Sequence, residues 1–238
     1  MSAHRVRYLL MGGQACVFYG AAEFSRDADL AVLADDENLE LFGRALEGLQ
    51  AERVAVPPFE RRYLDMGLAV HFRCQHPDAK GVRVDVMSKM RGVDGFQELW
   101  SRRTTLDVDG ERIELLSLPD LVLAKKTQRD KDWPMVARLL EANYFANQAE
   151  PTGEQMRFWL RELRTPTLLI DLASRFPLEA EETAYTRPLL LLAAAGDSEA
   201  LRAALRAEED EEREVDRQHW VPLRAELERL RRDHARRG

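Results

Sequence analysis

Tyr8-Leu9-Leu10-Met11-Gly12-Gly13-Gln14, followed by Asp27-Ala28-Asp29-Leu30-Ala31-Val32-Leu33, decides the architecture of this chain. Four apolar residues stopped by two glycines suit a short buried strand that ends in a turn. Gln14 to Gly20 has the look of a short helix. Leu30 to Leu33 then continues an apolar strand out of the two aspartates. Working outward, Glu37 to Gln50 carries Leu39, Phe42, Leu46 and Leu49 at helical spacing, giving that helix one apolar face. Leu68, Val70 and Phe72 alternate with Ala69, His71 and Arg73, a strand pattern. After the turn His76-Pro77-Asp78-Ala79-Lys80-Gly81, a second strand sets Val82, Val84 and Val86 on one face and Arg83, Asp85 and Met87 on the other. Asp109-Gly110, between Leu106–Val108 and Ile113–Leu116, predicts a two-residue hairpin.

From residue 117 the strand signals stop. Ser117-Leu118-Pro119-Asp120 has capping-box spacing, and a helix is expected over Leu121–Lys131. Asp132-Trp133-Pro134 restarts a helix to about Phe145, with Asp132 as its cap. Gln155–Leu163, Thr167–Arg175, Pro188–Ala195 and a long charged stretch from Ser198 follow. The expected class is α+β (α/β): a mixed sheet with helices packed on it, then a helical C-terminal region. Residues 1–116 form the core, 117–147 a helical extension and 154–238 the C-terminal helices, with Gln148–Gly153 as linker. Phe18, Tyr19 and Phe24 read as core. The run Glu208-Glu209-Asp210-Glu211-Glu212 reads as a solvated face.

With 45% apolar and 32% charged residues the chain has the composition of a folded globular protein, not of a disordered one. The apolar run after Arg7 is too short for a signal peptide, and no segment approaches the roughly 20 apolar residues of a membrane helix, so a cytoplasmic protein with no membrane partner is expected. Cys16 and Cys74 have no paired spacing and read as reduced, buried thiols. A formal charge of -7 argues against wholesale coating of nucleic acid. Local basic clusters remain at Lys125, Lys126, Arg129 and Lys131, and at Arg229, Arg231, Arg232, Arg236 and Arg237.

Three features carry chemistry. Gly12-Gly13, between strand and helix, lets the backbone approach a ligand closely, and the N–H groups there favour an anion such as a phosphate. On its own, such a pair is more often a tight turn. Asp27 and Asp29, two apart on a strand, point to the same face and repel each other unless a cation offsets the charge; a hard ion such as Mg2+ is the natural one. On its own this pair also suits a polar strand end. Asp85 sits mid-strand between valines, where a carboxylate is costly to bury without a partner, unless Arg83 pairs with it on a half-exposed strand.

Together, Leu10-Met11-Gly12-Gly13-Gln14-Ala15 and Ser25-Arg26-Asp27-Ala28-Asp29-Leu30 resemble the opening of the DNA polymerase β-like nucleotidyltransferases. The resemblance is to the small bacterial branch that includes abortive-infection and toxin–antitoxin proteins, and it covers roughly residues 8 to 140. In that branch a later helix carries Lys, then Arg, then Lys/Arg-Asp; here Lys125, Lys126, Arg129, Lys131 and Asp132 match. Two positions depart from the pattern. Glu23 stands where relatives often have Arg, and the interval from Lys125 to Arg129 is one residue short, which leaves Lys125 and Lys126 both open as the matching lysine.

The resemblance implies Asp27, Asp29 and Asp85 as catalytic and metal-binding residues for Mg2+ or Mn2+, with Asp85 as general base or second-metal ligand. It implies Gly12, Gly13, Gln14, Ser25, Lys125 or Lys126, and Arg129 as nucleotide-binding residues. The implied reaction moves a nucleoside monophosphate from a nucleoside triphosphate (NTP) to a hydroxyl of RNA, protein or a small molecule, releasing pyrophosphate. Two alternatives are a catalytically weak module of the same fold that works with a partner protein, and a metal-dependent phosphohydrolase.

Overall fold

The computed structural model describes residues 1–236. They form two compact units: residues 1–18, 22–124 and 218 onward make the first, residues 19–21 and 125–217 the second. The basic tail position Arg237 lies outside the described residues.

The first unit is built on a seven-stranded mixed sheet. Its strands are β1 (Tyr8–Met11), β2 (Asp27–Val32), β3 (Ala51–Arg53), β4 (Val70–Cys74), β5 (Arg83–Met87), β6 (Thr104–Val108) and β7 (Glu111–Leu115), in the order β3-β4-β5-β2-β1-β7-β6. The pairs β2–β5 and β1–β7 are parallel; the other four are antiparallel. Helices α1 (Gly12–Phe18), α2 (Asp36–Gly48), α3 (Arg61–Asp65), α4 (Phe96–Ser101) and α5 (Leu118–Ala124) belong to the same unit. The mixed sheet with helices and the all-helical remainder agree with the class expected from the sequence.

The alternation in β4 and β5 explains their burial. Val70, Phe72, Val84 and Val86 are buried, while His71, Arg83 and Asp85 are only partly covered. Phe42 of α2 packs on that apolar face through Phe59, at ring distances of 5.6 and 5.5 Å along Phe42–Phe59–Phe72. Each fully buried side chain of this size contributes on the order of 1.5–3 kcal/mol. Asp35 caps α2 by accepting from Asn38 N at 2.7 Å. The buried Asn38 amide then ties β1 to β2, accepting from Arg7 N and donating to the carbonyls of Arg7 and Leu33. At the hairpin, Asp109 and Gly110 have φ of 54° and 81°, the left-handed pair that such a turn requires.

The second unit holds α6 (Asp132–Asn147), α7 (Gly153–Glu162), α8 (Pro166–Arg175), α9 (Pro177–Ala184), α10 (Leu190–Ala194) and the first half of α11 (Ser198–Ala235). Gln148–Thr152 is a loop inside this unit, closed by a capping box between Thr152 and Gln155. Glu208 is not a solvated residue of an acidic face: it accepts from Arg187 and Arg164, both nearly buried. In the first unit, Leu223 and Leu230 of α11 pack with Tyr63 and Leu68. Cys16 and Cys74 are buried and form no disulfide. Among the described residues no helix is long and apolar enough to cross a membrane.

The sequence expectation of a helix over Leu121–Lys131 is corrected. α5 ends at Ala124, and residues 125–131 are a non-helical stretch of turns, bends and irregular backbone. Phe18 and Phe24 are also not core, being 36% and 71% exposed.

Candidate active site

The parallel pair β2–β5 decides where the carboxylates point. Its register sets Asp27 beside Arg83, Ala28 beside Val84 and Asp29 beside Asp85. Side chains alternate along each strand, and direct neighbours on adjacent strands share a face at about 4.8 Å. Asp27, Asp29, Arg83 and Asp85 therefore stand on one face, and the buried Leu30, Val84 and Val86 on the other. The neighbouring registers put Met11 beside Asp29 and His71 beside Asp85. One row across four strands reads His71, Asp85, Asp29, Met11.

Directly after Met11 the chain turns over Asp29. Gly12 has φ +64°, and a Cβ there would lie 1.8 Å from Asp29 Oδ2. A Cβ on Gly13 would lie 2.4 Å from Ser25 Oγ. Both glycines are thus required by side chains arriving from the next segment. Gly13 N–H donates to Asp29 Oδ2 at 3.4 Å, so this amide faces a carboxylate of the protein itself. Gln14 Nε2 donates to the Ser25 carbonyl at 2.8 Å, and the Ser25 hydroxyl donates to the Asp27 carbonyl at 3.4 Å. Gly12, Gly13, Gln14, Ser25, Asp27 and Asp29 form one assembly at the mouth of the β1–β2 pair.

Asp85 is held by Arg83 of its own strand and by His71 of β4. Its Oδ1 accepts from Arg83 Nε at 2.7 Å and lies 2.8 Å from His71 Nδ1, which in turn is 3.1 Å from Arg83 Nη2. The Asp85 side chain is 18% exposed. Burial pushes its pKa up, but the hydrogen bonds and charges of His71 and Arg83 outweigh burial and hold it below the ordinary carboxylate range. Arg83 is raised in turn, by its bond to Asp85 against the cost of burial, and then by the charges of Asp85, Asp27 and Asp29. Arg83 is the same-face partner of Asp85 that their spacing on one strand allowed; His71 reaches Asp85 through the β4–β5 register.

The donor set suits a hard divalent cation in chemistry and in facing: three carboxylates on one sheet face. In this conformation Asp85 is turned to Arg83 and His71. Among the described residues no three His, Cys, Asp or Glu side chains are gathered around one point. The residues that would hold a cation are Asp27, Asp29 and Asp85, with Asp85 released from Arg83.

No protein-family model matches this chain, and no curated protein matches it. Among solved structures the chain is similar to the crystal structure of an antigenic nucleotidyltransferase-like protein from Paracoccidioides brasiliensis. The two share 16% identity over 83% of this chain and 87% of that one, with a TM-score of 0.40. Overlap of that degree does not fix any chemistry, which rests on the side chains themselves.

The basic residues expected on a helix belong to the second unit and sit in its turns. Asp132, buried at the start of α6, gathers them: Lys125 Nζ at 3.5 Å, Thr127 Oγ1 at 2.6 Å and Arg129 Nε at 2.7 Å. Lys126 pairs with Glu162 at 2.7 Å. Asp132 is therefore the organiser of this loop and not a helix cap. Burial pushes its pKa up, and Lys125, Thr127 and Arg129 more than reverse that. Lys125 and Arg129 do not share a helix face; they share a carboxylate.

Proposed function

We propose that this protein is a metal-dependent nucleotidyltransferase that moves a nucleoside monophosphate from an NTP to a hydroxyl acceptor. One observation carries the reading: Asp29 and Asp85 are direct neighbours on parallel strands, on the face that also bears Asp27, with the Gly12–Gly13 turn closed over Asp29. Like charges at that spacing are unfavourable unless the site is meant to hold positive charge.

In the reaction the acceptor hydroxyl gives up its proton, to Asp85 or to solvent, as its oxygen attacks the α-phosphorus; the bond from that phosphorus to the bridging oxygen breaks, and pyrophosphate leaves. A divalent cation bound by the three carboxylates would neutralise triphosphate charge and lower the pKa of the acceptor hydroxyl. Asp85 serves in this reading as a further ligand of the cation or as general base. The close approach of backbone at Gly12 and Gly13 fixes Asp29, and Ser25 ties the segment leading into Asp27. Acceptors of the class are RNA, protein or a small molecule.

A second reading has an observation in its favour. The Arg83–Asp85–His71 contacts already satisfy Asp85, as expected for a binding module that has lost catalysis and serves a partner protein. Thermal melting with ATP or CTP separates the two. Stabilisation only with Mg2+ or Mn2+ present, lost in Asp29→Asn, supports the enzyme; stabilisation indifferent to metal removes it.

A further inference from the structure

Arg83 is a positive group on the carboxylate face of the candidate site. It stands beside Asp27 in register and two residues before Asp85 on the same face, with its Nε 2.7 Å from Asp85 Oδ1. Its side chain is still 40% exposed, so the guanidinium is not locked into the core and has room to leave. His71 Nδ1 steadies the arrangement from β4, 2.8 Å from the same carboxylate oxygen. Three like charges on one sheet face otherwise strain this end of β2 and β5, and a guanidinium bonded to one of them relieves that strain.

We propose that Arg83 is the built-in counter-cation of the Asp27–Asp29–Asp85 cluster, a positioning residue that competes with a divalent cation for Asp85 and is displaced when the ion binds. This rests on the nucleotidyltransferase reading of the same carboxylates. It makes metal affinity a difference between two cations, one tethered and one from solution. Removing the tethered one should tighten metal binding and, without metal, leave the cluster less stable.

The test is titration of the full chain with Mn2+ alone, with free ion counted by electron paramagnetic resonance. Wild type, Arg83→Gln, Arg83→Lys and Asp85→Asn are compared, each also melted in EDTA. Arg83→Gln should bind Mn2+ about tenfold or more tightly than wild type, the scale on which one neighbouring charge moves a carboxylate equilibrium. It should also melt lower in EDTA and regain the difference with Mn2+. Arg83→Lys, which keeps the charge but loses the Nε–H bond, should fall between and remains informative if Arg83→Gln folds poorly. Unchanged or weaker Mn2+ binding in both Arg83 variants, with Asp85→Asn abolishing binding, overturns the counter-cation and leaves the metal site standing. Mn2+ binding untouched by Asp85→Asn overturns the metal site and this inference with it.

Discussion

Gly12→Ala should be among the most damaging single-methyl changes in the chain, and its cost can be worked from the backbone. Two effects add at this position. The φ of +64° is left-handed, which costs a residue with a Cβ on the order of 1–2 kcal/mol. The new Cβ would also sit 1.8 Å from Asp29 Oδ2 and 2.6 Å from Asp29 Cβ, so the whole Asp29 side chain must move, an overpacking cost of about 1–3 kcal/mol. The expected loss is about 2–5 kcal/mol. Gly20 supplies the control: φ is +73°, yet nothing lies within 4 Å of its added Cβ, so Gly20→Ala should lose only the backbone part. Urea unfolding of the two variants measures the difference. In Gly12→Ala combined with Asp29→Gly the overpacking part should vanish, giving a favourable coupling above about 1 kcal/mol. Equal losses for Gly12→Ala and Gly20→Ala, with no coupling to Asp29, would refute the close approach on which this site is built.

Asp27→Ala and Asp29→Ala should each abolish metal-dependent turnover while shifting stability by less than about 1 kcal/mol, since each removes a repelling charge; calorimetry beside a turnover assay checks both. Asp132 has a folded pKa below its ordinary value, so its stabilising contribution is complete above the ordinary carboxylate range and is lost as pH falls through the folded value. Asp132→Asn should therefore lower stability at neutral pH and flatten the acid limb of the stability–pH curve; an unchanged limb contradicts the role assigned to it. Arg102 donates twice to the carboxylate of Asp120, which is 3% exposed, so Arg102→Gln strands a buried charge that keeps only the Ser117 hydroxyl. Because Arg102 itself is 41% exposed, the loss should be about 1–3 kcal/mol by urea unfolding and not the full cost of breaking a buried pair.

What could be read in the sequence was whatever repeats at the period of a strand or a helix. The valines of β5 and the alternation of β4 predicted both strands and the face of Asp85. Asp109-Gly110 predicted its turn because few residue pairs accept two left-handed conformations. β3 escaped because Ala51–Arg53 is three residues long, and α3 because five residues show little more than one turn of pattern. The loop after α5 was misread for a different reason. Its composition is helical, but Thr127 binds both Asp132 and the Arg129 N–H, and such side-chain bonds offer the backbone an alternative to the helix. At the site, the glycines and carboxylates were legible as residue types at a spacing. The pairing of Arg83 with Asp85 was legible too, since the two share a face of one strand; that His71 would join them depended on the register between β4 and β5, which no local pattern encodes.

The central claim is that Asp27, Asp29 and Asp85 act together through a divalent cation on a nucleotide. It is tested most directly by incubating the chain with each α-labelled NTP, Mg2+ or Mn2+, and total cellular RNA or protein, then identifying what carries label and what is released. Label joined to an acceptor with one pyrophosphate released per transfer, absent in EDTA and in Asp29→Ala, is the predicted result. Release of orthophosphate, or labelling that survives loss of Asp29, would contradict it.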